Sequence, residues 1–283
     1  MKVLLLGGSG QLGREIQAGW TDCDIFAPAH ESFDLATPHT FVHSLDAYAP
    51  DVVVNCAAFH NVDVCEHEPA AALAINAVAV DALAAACERR GCEFVTISTD
   101  YVFDGDSQRP YTEHDVPNPI SAYGISKLAG ELFVRKREMR AYVVRTCGVY
   151  GVHASRSKGT FVDRVIAQAR AGERPRVVSD VTASPTFAGH LSVALRSLVR
   201  SGAYGIYHMV NEGAVSWFDF AREALRQAGV DDSIEAISST DWKTVARRPR
   251  YSALSNSALA SIGVRMPSWR EGVSEYLARR ERS

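Results

Sequence analysis

Tyr123 and Lys127 stand four residues apart in the segment Tyr123-Gly124-Ile125-Ser126-Lys127. On a helix this spacing puts both side chains on one face. A tyrosine is a weak acid with a reference pKa of about 10. An ammonium beside it favours the phenolate and lowers that value. The pair therefore reads as a proton donor or acceptor for work near neutral pH. The same spacing also arises by chance on solvated helices. The reading thus requires three more things from the chain: a hydride source, a polariser for the reacting oxygen and a pocket. Ser98 and Thr99 end an apolar segment at residues 93–97, and their hydroxyls would sit in a crevice beyond the strand.

The N-terminal residues answer to the first. Val3-Leu4-Leu5-Leu6 predicts a buried strand, Gly7-Gly8-Ser9-Gly10-Gln11-Leu12-Gly13 follows at once, and residues 14–20 carry a helical pattern. Glycine is needed here for a tight strand-to-helix turn, for close approach of backbone to a pyrophosphate, and for helix–sheet packing. A glycine-rich turn that binds nothing is the alternative, and the order strand, turn, helix weighs against it. Residues 23–27 predict a second strand. An acid at its end would mark NAD; the chain instead reads Pro28-Ala29-His30-Glu31. Glu31 would accept ribose hydroxyls and His30 would face a 2′-phosphate, or both are merely exposed. The choice between NADPH and NADH stays open.

These side chains need a scaffold, and the chain alternates strand with helix. Phe33-Asp34-Leu35 predicts a short strand, with Thr37 capping a helix that has Pro38 at its first position. Residues 51–58 are a continuous apolar strand, as a parallel sheet requires. It runs into the small residues Ala57 and Ala58, over which a cofactor can lie. Residues 68–90 predict an alanine-rich helix with Asn76 in its middle, tying backbone or water near a site or simply solvated. A strand at 93–97, a helix from Ser121 to about Lys136 and a strand at 141–145 follow. The alternation predicts an α/β doubly wound parallel sheet. Ligands in such sheets bind beyond the carboxyl ends of the strands. Residues 1–150 read as a dinucleotide-binding domain whose sheet is completed by 187–211. Residues 151–186 and 212–283 read as a smaller substrate-binding lobe.

Composition sets the outer bounds. The chain has 283 residues, 47% hydrophobic and 22% charged, with a net charge of -3, which is ordinary for a globular protein. There is no basic excess and no lysine–arginine block, so nucleic acid is not an expected partner. The apolar start stops at Gly7, too short for a signal peptide core. No stretch is expected to reach the roughly 18 apolar residues of a membrane span. Six scattered cysteines without a C-x-x-C pattern predict reduced thiols and a cytoplasmic location. Cys65 with His67, and His39 with His43, lack a second ligand pair, and no metal is assigned to them.

The glycine motif, Asn55-Cys56-Ala57-Ala58, Ser98-Thr99-Asp100 and Tyr123-x-x-x-Lys127 together resemble the extended short-chain dehydrogenase/reductase family. Ser184-Pro185-Thr186, Ser216-Trp217-Phe218, Arg248-Pro249 and Pro267-x-Trp269-Arg270-Glu271 make the chain most similar to its dTDP-4-dehydrorhamnose reductase branch. The resemblance spans nearly the whole chain and implies a Rossmann-type sheet. It implies reduction of the 4-keto group of a nucleotide-activated 6-deoxy sugar by NADPH or NADH. Tyr123 would give the proton. Lys127 would lower its pKa and hold the nicotinamide ribose, and Thr99 would polarise the carbonyl. The resemblance further implies Gly7, Gly10, Gln11, Leu12, Gly13, His30, Asp34, Leu35, Ala57, Ala58 and Asn76 for the cofactor. It implies His60, Val62, Asp100, Tyr101, Gly148 and Asp180 for the nucleotide sugar, and a homodimer, common in the family.

Three departures from the family pattern fall near the substrate. Arg145-Thr146-Cys147-Gly148-Val149-Tyr150 lacks the usual sugar-packing tryptophan at Gly148. Asp180-Val181 replaces Asp-Gln, and Phe59-His60-Asn61 replaces Tyr-Thr-Ala. Glu15 matches a position that holds a metal in some family members; here it reads as a first-turn helix acid, and no metal is assigned. Two other readings stay open. One is an epimerase or dehydratase with tightly bound NAD, with Asp100 as an extra acid beside Thr99. The other is a non-catalytic regulatory subunit of the methionine adenosyltransferase β type.

Overall fold

The computed structural model describes residues 1–29, 33–37, 45, 47–153 and 159–282. In chain order the strands are β1 (Lys2–Leu6), β2 (Asp24–Phe26), β3 (Val52–Asn55), β4 (Glu93–Thr99), β5 (Ala141–Thr146), β6 (Val149–Tyr150), β7 (Arg176–Val178), β8 (Thr182–Ala183), β9 (Thr186–Phe187), β10 (Gly205–His208), β11 (Val215–Ser216) and β12 (Glu235–Ile237). The helices used below are α1 (Gln11–Gly19), α2 (Val62–His67), α3 (Pro69–Arg90), α4 (Ala122–Arg135), α5 (Phe161–Arg170), α6 (Ala188–Ser201), α7 (Trp217–Gln227), α8 (Ser257–Ser261) and α9 (Trp269–Arg280).

The central sheet runs β10-β5-β4-β3-β1-β2, and every pairing in it is parallel. All four residues of β3 are buried because helices cover both faces, so the strand has no polar side to show. On one face, Leu12, Ile16 and Trp20 at α1 pack with Leu191, Leu195 and Leu198 of α6. On the other, Val80, Leu83, Ala84 and Cys87 of α3 pack with Val53, Phe94 and Val143. This is the expected doubly wound α/β sheet. The chain leaves β1 for β2 on one side and returns to β3 on the other. The order therefore reverses beside β1, and the crevice opens at the carboxyl ends of β1 and β3. A third core, built around Tyr150, Val162, Phe187, Phe220, Trp269 and Tyr276, gathers residues from 150 onward.

Several elements differ from expectation. Phe33-Asp34-Leu35 is a turn: Asp34 Oδ1 accepts the Ala36 N–H at 2.8 Å, and its carbonyl accepts the Thr37 N–H at 3.1 Å. A short aspartate side chain competes in this way with strand pairing. Pro38, His39 and His43, with the helix expected there, lie outside the described residues. β4 extends through Ser98 and Thr99, which pair with Arg145 and Thr146. One helix, α3, does prove long and apolar enough to cross a membrane, with a mean hydropathy of 1.9. Its alanines had hidden this in the sequence; half of that window is buried inside the protein.

Candidate active site

α1 begins at Gln11 with Gly10 as an extended N-cap that offers no side-chain bond. The first intrahelical donor is the Arg14 N–H, 2.9 Å from the Gly10 carbonyl. The N–H groups of Gln11, Leu12 and Gly13 precede it and are available to an anion at the positive helix end. Gly13 sits so close to the turn that a Cβ would lie 2.3 Å from the Gly7 carbonyl oxygen. Gly7 itself has φ +74, and a Cβ there would come within 2.8 Å of the Ala57 nitrogen. A groove of about 1420 Å³ opens here, lined by Gly7, Gly10, Asp34, Leu35, Ala57, Ala58 and His60 among others. Seven of the sequence-chosen residues thus meet along one crevice.

Four do not. The Leu12 side chain is buried in the core, so only its backbone faces the helix end. Gln11 is turned inward, with a buried Oε1 that has no hydrogen-bond partner. Asn76 is occupied within the protein: it accepts the Phe59 N–H at 2.9 Å and donates to Phe59 O at 3.0 Å and Ser126 Oγ at 2.9 Å. It staples the loop after β3 to α4, and a π-helical turn, Ala74–Val78, surrounds it. Its fixed amide has no donor left for a cofactor. His30 lies outside the described residues.

Ser121 caps α4, its hydroxyl accepting the Gly124 N–H at 3.2 Å. A Cβ on Gly124 would lie 2.2 Å from the Tyr101 carbonyl oxygen. This glycine therefore lets α4 press onto the 3₁₀ turn Asp100–Val102 that follows β4. The approach brings the Tyr123 phenol near the Thr99 hydroxyl. The Tyr101 ring meets that of Tyr123 edge-on, 5.9 Å between centroids. The three predicted catalytic residues converge at the carboxyl end of β4, though none of them lines the groove described above.

The electrostatics differ from expectation. Lys127 Nζ donates to the Ile97 carbonyl at 2.6 Å. Burial pulls its pKa down to about 8, with Glu131 opposing. Tyr123 is pushed above its usual value, first by burial and then by Asp100, while the nearby Thr99 hydroxyl acts the other way. The expected lowering of Tyr123 by Lys127 is therefore not what this arrangement gives. The two side chains share a face, but the ammonium turns to a strand carbonyl.

The sugar-side residues divide. His60 is exposed, with Nδ1 3.4 Å from Ala58 O, and Val62 opens α2 behind the Asn61 cap. Arg248 reaches from the C-terminal segment to Asp63 at 2.8 Å and holds that carboxyl down to about 2. Its guanidinium charge also faces Tyr101. Asp100 is buried: the Thr99 hydroxyl donates to Oδ1 at 3.0 Å and the Cys147 thiol to Oδ2 at 3.1 Å. Burial raises its pKa against these bonds. It supports Thr99 from behind. Beside Gly148 stands Trp217 of α7, with Cη2 3.0 Å from where a Cβ would be. An aromatic ring thus occupies the place left by the missing tryptophan, supplied by another element.

Asp180 is not brought to the site. It accepts the Ser239 N–H at 2.7 Å and the Ser238 and Ser239 hydroxyls at 3.1 and 2.9 Å, fixing the loop after β12. Glu15 is also reassigned, because α1 has no acid in its first turn. Arg279 of α9 donates to it at 3.1 Å, so it ties α1 to the last helix.

The family described as RmlD substrate binding domain matches residues 1–282. The chain belongs to this family. It is 37% identical over 284 residues to SpsK, a spore coat polysaccharide biosynthesis protein of Bacillus subtilis strain 168, covering 99% of this chain and 98% of that protein. It is 38% identical over 292 residues to a dTDP-4-dehydrorhamnose reductase of Burkholderia thailandensis, covering 96% and 97%. A solved dTDP-4-dehydrorhamnose reductase of Bacillus anthracis, in complex with NADP, superposes with a TM-score of 0.93 at 33% identity, covering 98% and 99%.

In this RmlD-family chain, sequence reasoning missed the residues that hold the catalytic ones. Ser126 donates to Tyr123 O at 2.8 Å and receives Asn76. Ser98 and Glu131 lie beneath Lys127 and join Arg145. The glycine between Tyr123 and Lys127 was a readable signal for close packing. The Glu131–Arg145 pair gave none, since each residue is ordinary on its own element.

Proposed function

We propose that this chain reduces the 4-keto group of a dTDP-linked 6-deoxy sugar, dTDP-4-dehydrorhamnose or a related deoxysugar, using NADPH or NADH. The observation that carries the reading is the gathering of Thr99, Tyr123 and a buried Lys127 at the carboxyl end of β4, in the same sheet crevice as a glycine-lined groove. The residues present fit a dinucleotide. Helix-end N–H groups precede the first intrahelical bond, and backbone close to Gly7 and Gly13 leaves no room for a Cβ. Gly7, Gly10 and Gly13, with the Gln11 and Leu12 amides, would hold the pyrophosphate. Asp34 and Leu35 would flank the adenine, and Ala57 and Ala58 would floor the groove. When bound, the reduced nicotinamide supplies the hydride.

The chain's own residues manage the proton. Tyr123, held protonated by its surroundings, gives its phenolic proton to the oxygen that was the carbonyl. Thr99 polarises that oxygen once its hydroxyl turns its single proton from Asp100 Oδ1 to the substrate. The Lys127 ammonium, held at the Ile97 carbonyl, would hold the nicotinamide ribose. His60, Val62, Tyr101 and the Gly148–Trp217 wall would meet the sugar. Residues 1–150 with 187–211 serve as the cofactor domain, and the remainder forms the substrate lobe.

The test follows reduced-cofactor oxidation with dTDP-4-keto-6-deoxyhexoses. One NADPH or NADH is expected to be consumed per sugar reduced. Absence of turnover with every such sugar, or cofactor recycled without net consumption, would overturn the reading. Six free cysteines support a cytoplasmic location. Leu73, Val78, Ile125 and Leu132 remain exposed on α3 and α4 and support a homodimer. Sedimentation velocity at tens of micromolar protein should give about twice the monomer mass; a monomer there removes this part.

A further inference from the structure

Lys127 and Glu131 lie one helical turn apart on α4, and both are buried. They dock on consecutive residues of β4. Lys127 Nζ donates to the Ile97 carbonyl at 2.6 Å, and the Ser98 hydroxyl donates to Glu131 Oε1 at 2.5 Å. Arg145 of β5 then grips Glu131 with Nε at 3.0 and 3.1 Å from its two oxygens and Nη2 at 2.6 Å from Oε2. Both members of this ion pair are essentially inaccessible, with side-chain exposures of 2% and 1%. Arg145 also stands over the Phe103 ring, 5.2 Å from its centre, and Nη1 lies 3.4 Å from His208 Nε2 on β10. A buried ion pair contributes little net stability compared with apolar residues of similar volume. Its place here, directly under the ammonium, suits another purpose.

We propose that Glu131 is a positioning residue for Lys127, docking α4 onto Ser98 and Arg145 in the register that presents the Lys127 ammonium to the reacting site. The proposal rests on the reading of Lys127 given under Proposed function. The carboxylate has a second effect. It is the largest influence opposing the burial that draws Lys127 down to about 8, so its removal leaves the ammonium easier to deprotonate. The groups concerned are few. Lys127 faces Glu131 on its own helix and Cys56 after β3, with Tyr123 one turn before it. Glu131 faces Ser98 of β4 and Arg145 of β5, which in turn meets His208 of β10. Asp100 faces Tyr123.

The experiment measures kcat against pH with dTDP-4-dehydrorhamnose and NADPH, alongside melting curves. The proteins are wild type, Glu131→Gln, Glu131→Asp, the double variant Glu131→Leu/Arg145→Met, Ser98→Ala and Lys127→Met. The wild-type alkaline limb is expected near the Lys127 value of about 8. Loss of the carboxylate should move that limb down by about one pH unit and lower kcat about tenfold. Glu131→Asp keeps the charge and should restore the limb in part. Glu131→Gln leaves Arg145 buried and unpaired, so the double variant, which removes both charges, guards against misfolding. Ser98→Ala removes one hydroxyl, leaves the ion pair intact, and should lower kcat about threefold with KM unchanged. An unmoved limb in folded Glu131 variants, or unchanged kcat in Ser98→Ala, overturns the proposal if Lys127→Met is inactive. Wild-type rates from Lys127→Met would instead overturn the assignment of Lys127, and the positioning role with it.

Discussion

Tyr123→Phe is expected to lower kcat about 10³-fold, within the range of a positioned general acid, while changing cofactor KM by less than about threefold. The substitution removes one oxygen and keeps the ring. The ring's edge contact with Tyr101 and the tight seat of Gly124 against Tyr101 O remain. Only the hydroxyl beside Thr99, with its transferable proton, is lost. The effect should therefore appear in the chemical step, visible in single-turnover NADPH oxidation, with an unchanged melting temperature. The pH profile adds a second check. Burial and Asp100 push the Tyr123 pKa up, so the phenol stays protonated throughout the working range. The alkaline limb then belongs to Lys127 at about 8. A Tyr123→Phe enzyme that keeps a tenth or more of the wild-type rate would move the acid role elsewhere, with buried Asp100 first in line.

The parts of this site that were legible in the sequence share a physical cause. A parallel strand covered on both faces must be an apolar run, so β1, β3 and β4 stood out. A turn with no room for a Cβ must be glycine, so Gly7 and Gly13 stood out too. Thr99, Tyr123 and Lys127 could be chosen because chemistry restricts their types. Polar side chains that bond inward were misjudged. Asn76, Asp100 and Asp180 each looked like a ligand-facing group, yet each is occupied by neighbours far along the chain or in a separate loop. The strand expected at Phe33-Asp34-Leu35 failed for a local reason, since the Asp34 carboxylate closes a turn on the Ala36 N–H. Gly148 is the converse case. Its missing side chain suggested a gap, and the fold places Trp217 there from α7, a pairing that spacing does not reveal.

Gly13→Ala should destabilise the protein by about 2–4 kcal/mol and weaken NADPH binding about 100-fold. The sign is opposite to the usual one. Inside an exposed helix, alanine is better than glycine by about 1 kcal/mol. At Gly13 the new methyl carbon would sit 2.3 Å from the Gly7 carbonyl oxygen and 2.7 Å from Gly8 Cα. Both are backbone atoms of the turn, so no side-chain rotation relieves the overlap. Either α1 moves off β1, exposing Leu12 and Ile16 of its core, or the turn opens. Both displace the Gln11 and Leu12 amides that await the pyrophosphate. Gly19, at the other end of α1, is the control, because a Cβ there meets only Ser192 Oγ at 3.8 Å. Gly19→Ala should therefore bind NADPH like wild type and be no less stable. Urea unfolding and fluorescence titration with NADPH measure both quantities on both variants. If Gly13→Ala matched Gly19→Ala in the two assays, the turn would not be pressed against the helix, and the groove would have to bind its pyrophosphate by some other contact.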